Sequence, residues 1–175
     1  TPNIEMLDFT QNLMSDYGFI ASLPNLKDIS IRNNSGIVTI DVSNNPNLRS
    51  LDTGNCPNLS SINFGSLSNS LEYLIVESCQ ISSIDITPFI NLKELNCANN
   101  QLTSLNLSNA NNLTSLNYSG NMFASLDFSG LNNLETLNCS YSYITQTDLE
   151  MVTNLKNLYC ADTLPILDLS HFTNL

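Results

Sequence analysis

The side chains able to do chemistry fall in rows. Asp41, Asn63, Asp85, Asn106, Asp127, Asp148 and Asp168 follow one another at steps of 20 to 22 residues, with Asp8 a candidate earlier member. Such a row could bind calcium, but that ion takes six to eight oxygens and one flat row offers few. A solvated face whose aspartates bond local backbone is the stronger expectation. Like charges on neighbouring strands repel, and two asparagines separate the early carboxylates whereas nothing separates Asp127, Asp148 and Asp168. The five cysteines also fall in rows, Cys97, Cys139 and Cys160 in one and Cys56 with Cys79 in another. There is no C-x-x-C pair and the one histidine is His171, so no metal site is expected. An odd count and side chains pointing the same way argue for buried thiols rather than bridges. A base, a nucleophile and a cleft to hold them are not offered together, so neither catalysis nor a cofactor is expected.

Composition narrows the partners. Sixteen acidic residues stand against five basic ones in 175, a formal charge of -11. This opposes binding to nucleic acid or to an anionic membrane surface. No apolar run reaches 18 residues, so direct membrane insertion is not expected. Hydrophobic residues make up 42%, enough for a continuous core.

What positions the rows is a repeat. Leu92, Leu95 and Cys97 recur 21 residues on as Leu113, Leu116 and Tyr118, then as Leu134, Leu137 and Cys139, then as Leu155, Leu158 and Cys160. Backwards, Leu71, Leu74 and Val76, then Leu48, Leu51 and Thr53, then Leu26, Ile29 and Ile31 fit with steps of 22 and 23. Seven rungs are visible, and Leu175 opens another. Each period holds a second copy of the pattern: Ile37, Ile40, Val42; Leu59, Ile62, Phe64; Ile81, Ile84, Ile86; Leu102, Leu105, Leu107; Phe123, Leu126, Phe128. Spaced apolar residues turn inward while those between face water, which predicts short parallel strands on both long sides of each coil. Places are counted below from the leading leucine of each coil.

The stretch "LKELNCANNQL" from Leu92 to Leu102 resembles the leucine-rich-repeat family, whose strand reads L-x-x-L-x-L-x-x-N/C. The alternation with "LTSLNLS" from Leu102 to Ser108 resembles its nested bacterial subclass of 21-residue repeats, the IRREKO type. The resemblance covers Leu26 to Leu175. It implies a repeat solenoid: a right-handed superhelix with parallel strands on the concave side and short strands or turns on the other. Residues 1–25 would be an irregular repeat or cap and residues 26–175 an array of about seven repeats, expected to continue past 175. By resemblance the chain is a non-catalytic recognition or adhesion module of a secreted or cell-surface bacterial protein, binding a protein or glycan. The alternative is an intracellular scaffold or effector domain.

The ninth place holds Asn34, Cys56, Cys79, Asn100, Asn121, Ser142 and Thr163, expected to satisfy turn backbone groups of their own and the next coil. Asn25, Asn47, Asn91, Asn112, Asn133, Asn154 and Asn174 precede the leading leucines, as Ser70 does, and suit the opposite corner. At the second place Arg49, Glu72 and Lys93 are expected to stack as alternating charges, as are Glu135 and Lys156. The third, fifth, seventh and eighth places should face outward and are mostly small or polar. The exceptions, Tyr73 and Ile75, then Tyr141 and Tyr159, with Glu77, Glu94 and Asp162 around them, are the candidate ligand contacts. "TDLE" from Thr147 to Glu150 reads as a capping box starting a helical turn, and Thr10 to Gly18 as a second short helix.

Overall fold

One apolar residue between two outward ones, at places three to five, makes a strand of three residues in every coil. A computed structural model describes residues 3–67, 69–162, 164 and 166–175. Its strands are β1 (Met6–Asp8), β2 (Asp28–Ser30), β3 (Thr39–Asp41), β4 (Ser50–Asp52), β5 (Ser61–Asn63), β6 (Tyr73–Ile75), β7 (Glu94–Asn96), β8 (Ser115–Asn117), β9 (Thr136–Asn138) and β10 (Asn157–Tyr159). Eight of them form one parallel sheet in the order β1-β2-β4-β6-β7-β8-β9-β10. The register is unbroken, with Leu7, Ile29, Leu51, Leu74, Leu95, Leu116, Leu137 and Leu158 stacked in one inward row. The leading leucines from Leu26 to Leu155 are buried beside this row, and the inward residues of the second half-repeat close the core from the other side.

After each strand the chain must turn sharply. The eighth place does this in the left-handed region in every described coil: Gln11, Asn33, Asn55, Ser78, Asn99, Gly120, Tyr141 and Asp162 all have φ between 53° and 62°. The next residue fixes the corner. Asn100 and Asn121 are buried and donate from Nδ2 to Cys97 and Tyr118 carbonyls of their own coils and to Val76 and Cys97 carbonyls of the preceding ones. Their Oδ1 atoms accept from the Ile81 and Leu102 amides. The bonds therefore run to the preceding coil, not to the next one as the sequence suggested. Asn34 does the same, Cys56, Cys79 and Ser142 offer a single donor to the preceding coil, and Thr163 lies outside the described residues. On the opposite corner Asn47, Asn91, Asn112, Asn133 and Asn154 each donate to a backbone carbonyl 22 or 23 residues earlier.

Several expectations need correction. Only β3 and β5 pair on the second side; among the described residues the later coils carry no strand there. Aliphatic Ile40 and Ile62 face the core in the paired part. Phe64, just after β5, packs on Phe89 of the next coil, and Tyr118 packs across its own coil on Phe123 and Phe128, with ring centroids 5.0 to 6.1 Å apart. Asp8 is not in the second-side row, because β1 pairs with β2 and sets it opposite Ser30. The N-terminal segment thus supplies the first rung of the sheet. Thr10 to Gly18 is a turn and irregular chain, held by Asp8 and Asp16 carboxylates accepting from the Thr10 and Gly18 amides, and the 3-10 helix Gly18–Ser22 begins where a helix was expected to stop. The helix α1 (Gln146–Glu150) is capped by Thr145, not Thr147, in a reciprocal box with Asp148. This takes Asp148 out of the acidic row. The seventh place is also not open in the middle of the sheet, where Gly54, Ala98, Ser119 and Ser140 are buried.

Two substitutions separate these roles. Asn121→Ala leaves the Leu102 amide and the corner carbonyls without partners and should cost about 1 to 3 kcal/mol, whereas Asn112→Ala on the outer corner should cost under about 1 kcal/mol. Leu116→Asp should unfold the array while Ser115→Asp leaves it folded. Chemical denaturation checks each, and equal losses for Leu116→Asp and Ser115→Asp would invalidate the inward and outward assignment.

Candidate functional site

The outward residues of the eight-stranded face form two rows fixed by the register. One reads Met6, Asp28, Ser50, Tyr73, Glu94, Ser115, Thr136 and Asn157; the other reads Asp8, Ser30, Asp52, Ile75, Asn96, Asn117, Asn138 and Tyr159. In the second row a recurrent local bond orients the side chains. The Oδ1 atoms of Asp52, Asn96, Asn117 and Asn138 accept from the backbone amide two residues on.

In the N-terminal half of this face the polar groups engage one another. Arg32 donates to Asp52 at 3.0 and 3.1 Å and reaches past that coil to the Glu77 carboxylate, which also accepts from Asn96 Nδ2 at 2.6 Å. Gly54 makes the crossing possible, since a Cβ there would lie 2.7 Å from the guanidinium. The residues Arg32, Asp52 and Gly54 were missed in the sequence. The available signal was that Arg32 alone among the basic residues stands outside the second place. Arg49 lies over the Tyr73 ring at 5.7 Å and pairs with Glu72 at 3.2 Å, which also holds Lys93 at 2.7 Å. Lys156 pairs with Glu135, and Lys27 with Glu5. The alternating edge is therefore present, and Glu77, Tyr73 and Ile75 are half-buried and partnered or packed.

The C-terminal half differs. Glu94 and Tyr159 border a shallow hollow of about 210 Å³ with Asn96, Ser115, Asn117, Thr136 and Asn138 around it and Leu116 beneath. Tyr159 and Tyr141 are 56% and 65% exposed. Tyr141 and Asp162 occupy the left-handed place, where a neighbouring coil has Gly120. Gly120 has a second reason, because a Cβ there would sit 2.4 Å from Asn99 Oδ1. A tyrosine in this conformation costs roughly 1 to 2 kcal/mol that asparagine or glycine would largely avoid. Two larger hollows, of about 540 and 520 Å³, lie along the charged edge and beside Phe64 and Ile84 on the second side. In the former the Nδ2 groups of Asn91, Asn112, Asn133 and Asn154 already donate to backbone carbonyls and Lys93 is paired with Glu72.

The second-side acidic row is occupied locally. Asp41, Asp85, Asp127 and Asp168 accept from the backbone amides of Ser43, Thr87, Ser129 and Ser170. Bonds from these Ser and Thr residues hold all four carboxyls below their ordinary range. Among the described residues no three His, Cys, Asp or Glu side chains gather around a common point. Cys56, Cys79, Cys97 and Cys139 are buried free thiols, and burial pushes the last two up to about 12.

No family model and no curated protein matches the sequence. Solved structures do. A leucine-rich-repeat protein of Leptospira interrogans superposes on 98% of this chain with a TM-score of 0.74 at 20% identity. The fold is a leucine-rich-repeat solenoid. This chain spans about half, 53%, of the Leptospira protein. Two Listeria monocytogenes structures also align: the functional domain of InlJ, described as including a cysteine ladder (TM-score 0.43, 19% identity, 99% of this chain and 57% of that one), and the internalin InlF (0.44, 18%, 98% and 72%). Within the repeat, Glu94 and Tyr159 are the candidate contacts brought to one hollow, while Tyr73 and Ile75 lie four strands from Tyr159.

The acidic row gives a prediction of sign. A carboxyl held low in the folded state stabilises above its unfolded pKa of about 3.9, and that stability is lost as pH falls through the folded value. Stability should therefore drop below about pH 4, and Asp127→Asn should flatten part of that drop. Millimolar calcium should shift melting no more than a monovalent salt of equal ionic strength. A calcium-specific rise abolished by Asp127→Asn would show a metal site instead.

Proposed function

We propose that this solenoid is a non-catalytic recognition or adhesion module of a secreted or cell-surface bacterial protein, with its contact surface on the C-terminal half of the eight-stranded face. The observation carrying this is Tyr141, a large exposed aromatic kept in a left-handed conformation. The corner imposes that backbone in every described coil, so a bulky exposed tyrosine there is a side chain kept against roughly 1 to 2 kcal/mol of strain, and exposed tyrosines on a rigid polar surface are where contact energy concentrates. Tyr159, Glu94 and Asp162 belong to the same surface in this reading, with Tyr73, Ile75 and Glu77 at its N-terminal border. The likeness to the Leptospira protein supports a repeat fold able to present such a surface. The formal charge of -11 favours a neutral or basic partner over nucleic acid. The nested repeat subclass and the cap role of residues 1–25 belong to the same proposal.

The alternative, an intracellular scaffold whose polar rows serve stability alone, draws support from how many asparagines are engaged within the solenoid. The two readings differ at the tyrosines. Tyr141→Asn combined with Tyr159→Ser should leave the melting temperature unchanged or raise it, because Asn suits the left-handed place. Screened against glycans and extracellular-matrix proteins, the wild-type chain should bind a partner and the double variant should bind it at least tenfold more weakly. Equal binding by both would remove this face as the contact surface.

A further inference from the structure

Resting on the reading of this face as a contact surface, we infer that the hollow between Glu94 and Tyr159 takes one ring of a neutral sugar from a glycan. The hydrogen-bonding state of its wall carries the inference. Asn117 and Asn138 use Oδ1 to cap the Ser119 and Ser140 amides, and among the described residues their Nδ2 groups donate to nothing. Ser115 Oγ and the Glu94 carboxylate are likewise unpartnered there, whereas the asparagines of both corners and the Arg32 cluster are engaged. The two asparagines are held in place by their caps, and with Ser115 and Glu94 they keep donors and an acceptor turned to water. A ligand covering them must replace that water with hydrogen bonds of both kinds, or leave buried polar groups unpaired.

Sugar hydroxyls meet this demand, each being donor and acceptor at once. The exposed Tyr159 ring at the rim offers a flat apolar surface for the C–H face of the ring. A protein anchor fits less well, since Leu116 is fully buried and Tyr159 is the one large apolar surface among the lining residues, so the hollow offers no exposed aliphatic side chain to an aromatic or leucine. Charge selects among sugars. Glu94 carries an uncompensated negative charge, while Arg32 lies between Asp52 and Glu77, and Lys93 and Lys156 are paired at the edge. Sialylated, uronic or sulfated rings would meet a carboxylate that no cation among the described residues offsets.

The intact chain should be assayed on immobilised neutral hexose and N-acetylhexosamine oligosaccharides, on sialylated and sulfated counterparts, and on deglycosylated matrix proteins. Asn117→Asp and Asn138→Asp preserve the capping oxygen and replace the free Nδ2 donor with a charged acceptor; Asn117→Ser keeps an oxygen able to cap, withdraws Nδ2 from the hollow and adds no charge. Expected is binding to neutral oligosaccharides alone, reduced at least tenfold by each variant at an unchanged melting temperature. Preference for anionic sugars, binding indifferent to all three variants, or no glycan binding would overturn the inference. Binding to a deglycosylated protein that depends on Tyr141 and Tyr159 but not on Asn117 or Asn138 would overturn it while leaving the contact surface intact. Glycan binding that survives Tyr141→Asn with Tyr159→Ser and all three variants would remove both.

Discussion

Everything in this solenoid depends on turning the chain through a buried corner without leaving backbone polar groups unpaired. A strand of three residues can form few bonds of its own, and the stack survives only because the ladder continues past it. The eighth-place amide donates to the seventh-place carbonyl of the next coil from Gln11 through Tyr141. The ninth-place side chain then closes what the ladder cannot reach, so Asn100 and Asn121 each tie three carbonyls and one amide across two coils. An unpaired buried amide costs as much as a lost hydrogen bond, so this corner sets the register of every other row.

Register converts a local pattern into a surface. Once Leu95 stacks on Leu116, Glu94 must face Ser115 and Asn96 must face Asn117, and the same holds along the sheet. The array therefore varies its outward residues without disturbing its core. Arg32 uses this freedom to reach Glu77 past the coil of Asp52 and Gly54, tying three coils on the N-terminal side. The strained place of Tyr141 uses it differently, since that backbone is held by its own amide bonding the Ala161 carbonyl at 2.8 Å whatever the side chain.

The inward rows, the second-place charges and the polar corners were legible in the sequence because each follows from spacing alone. The left-handed row was not, since Gln11, Ser78, Gly120, Tyr141 and Asp162 share no residue type and the path of the backbone unites them. The strands of the second side were not legible, since Ile81, Ile84 and Ile86, or Leu102, Leu105 and Leu107, repeat the apolar pattern of the paired coils and yet carry no strand among the described residues. Thr145 and Thr147 both precede helix-forming residues, and Asp148 at the third helical position chose between them. At the candidate site, spacing marked Glu94 and Tyr159 as outward. It could not show that Glu77 is neutralised by a residue 45 positions away, because that contact skips a whole coil.

These facts divide one sheet face into two surfaces of different capacity. A side chain already bonded within its own surface must break that bond to meet a partner, so Arg32, Glu77 and Asn96 have little net energy to give despite their charge. Asn117, Asn138 and Ser115 are less conspicuous in sequence, yet their remaining donors compete only with water. Their backbone is fixed by the sheet and the two asparagines are oriented by their caps, so little ordering entropy remains to be lost on binding. On a solenoid whose asparagines mostly serve the fold, the residues to watch are those whose second polar atom the fold leaves unused.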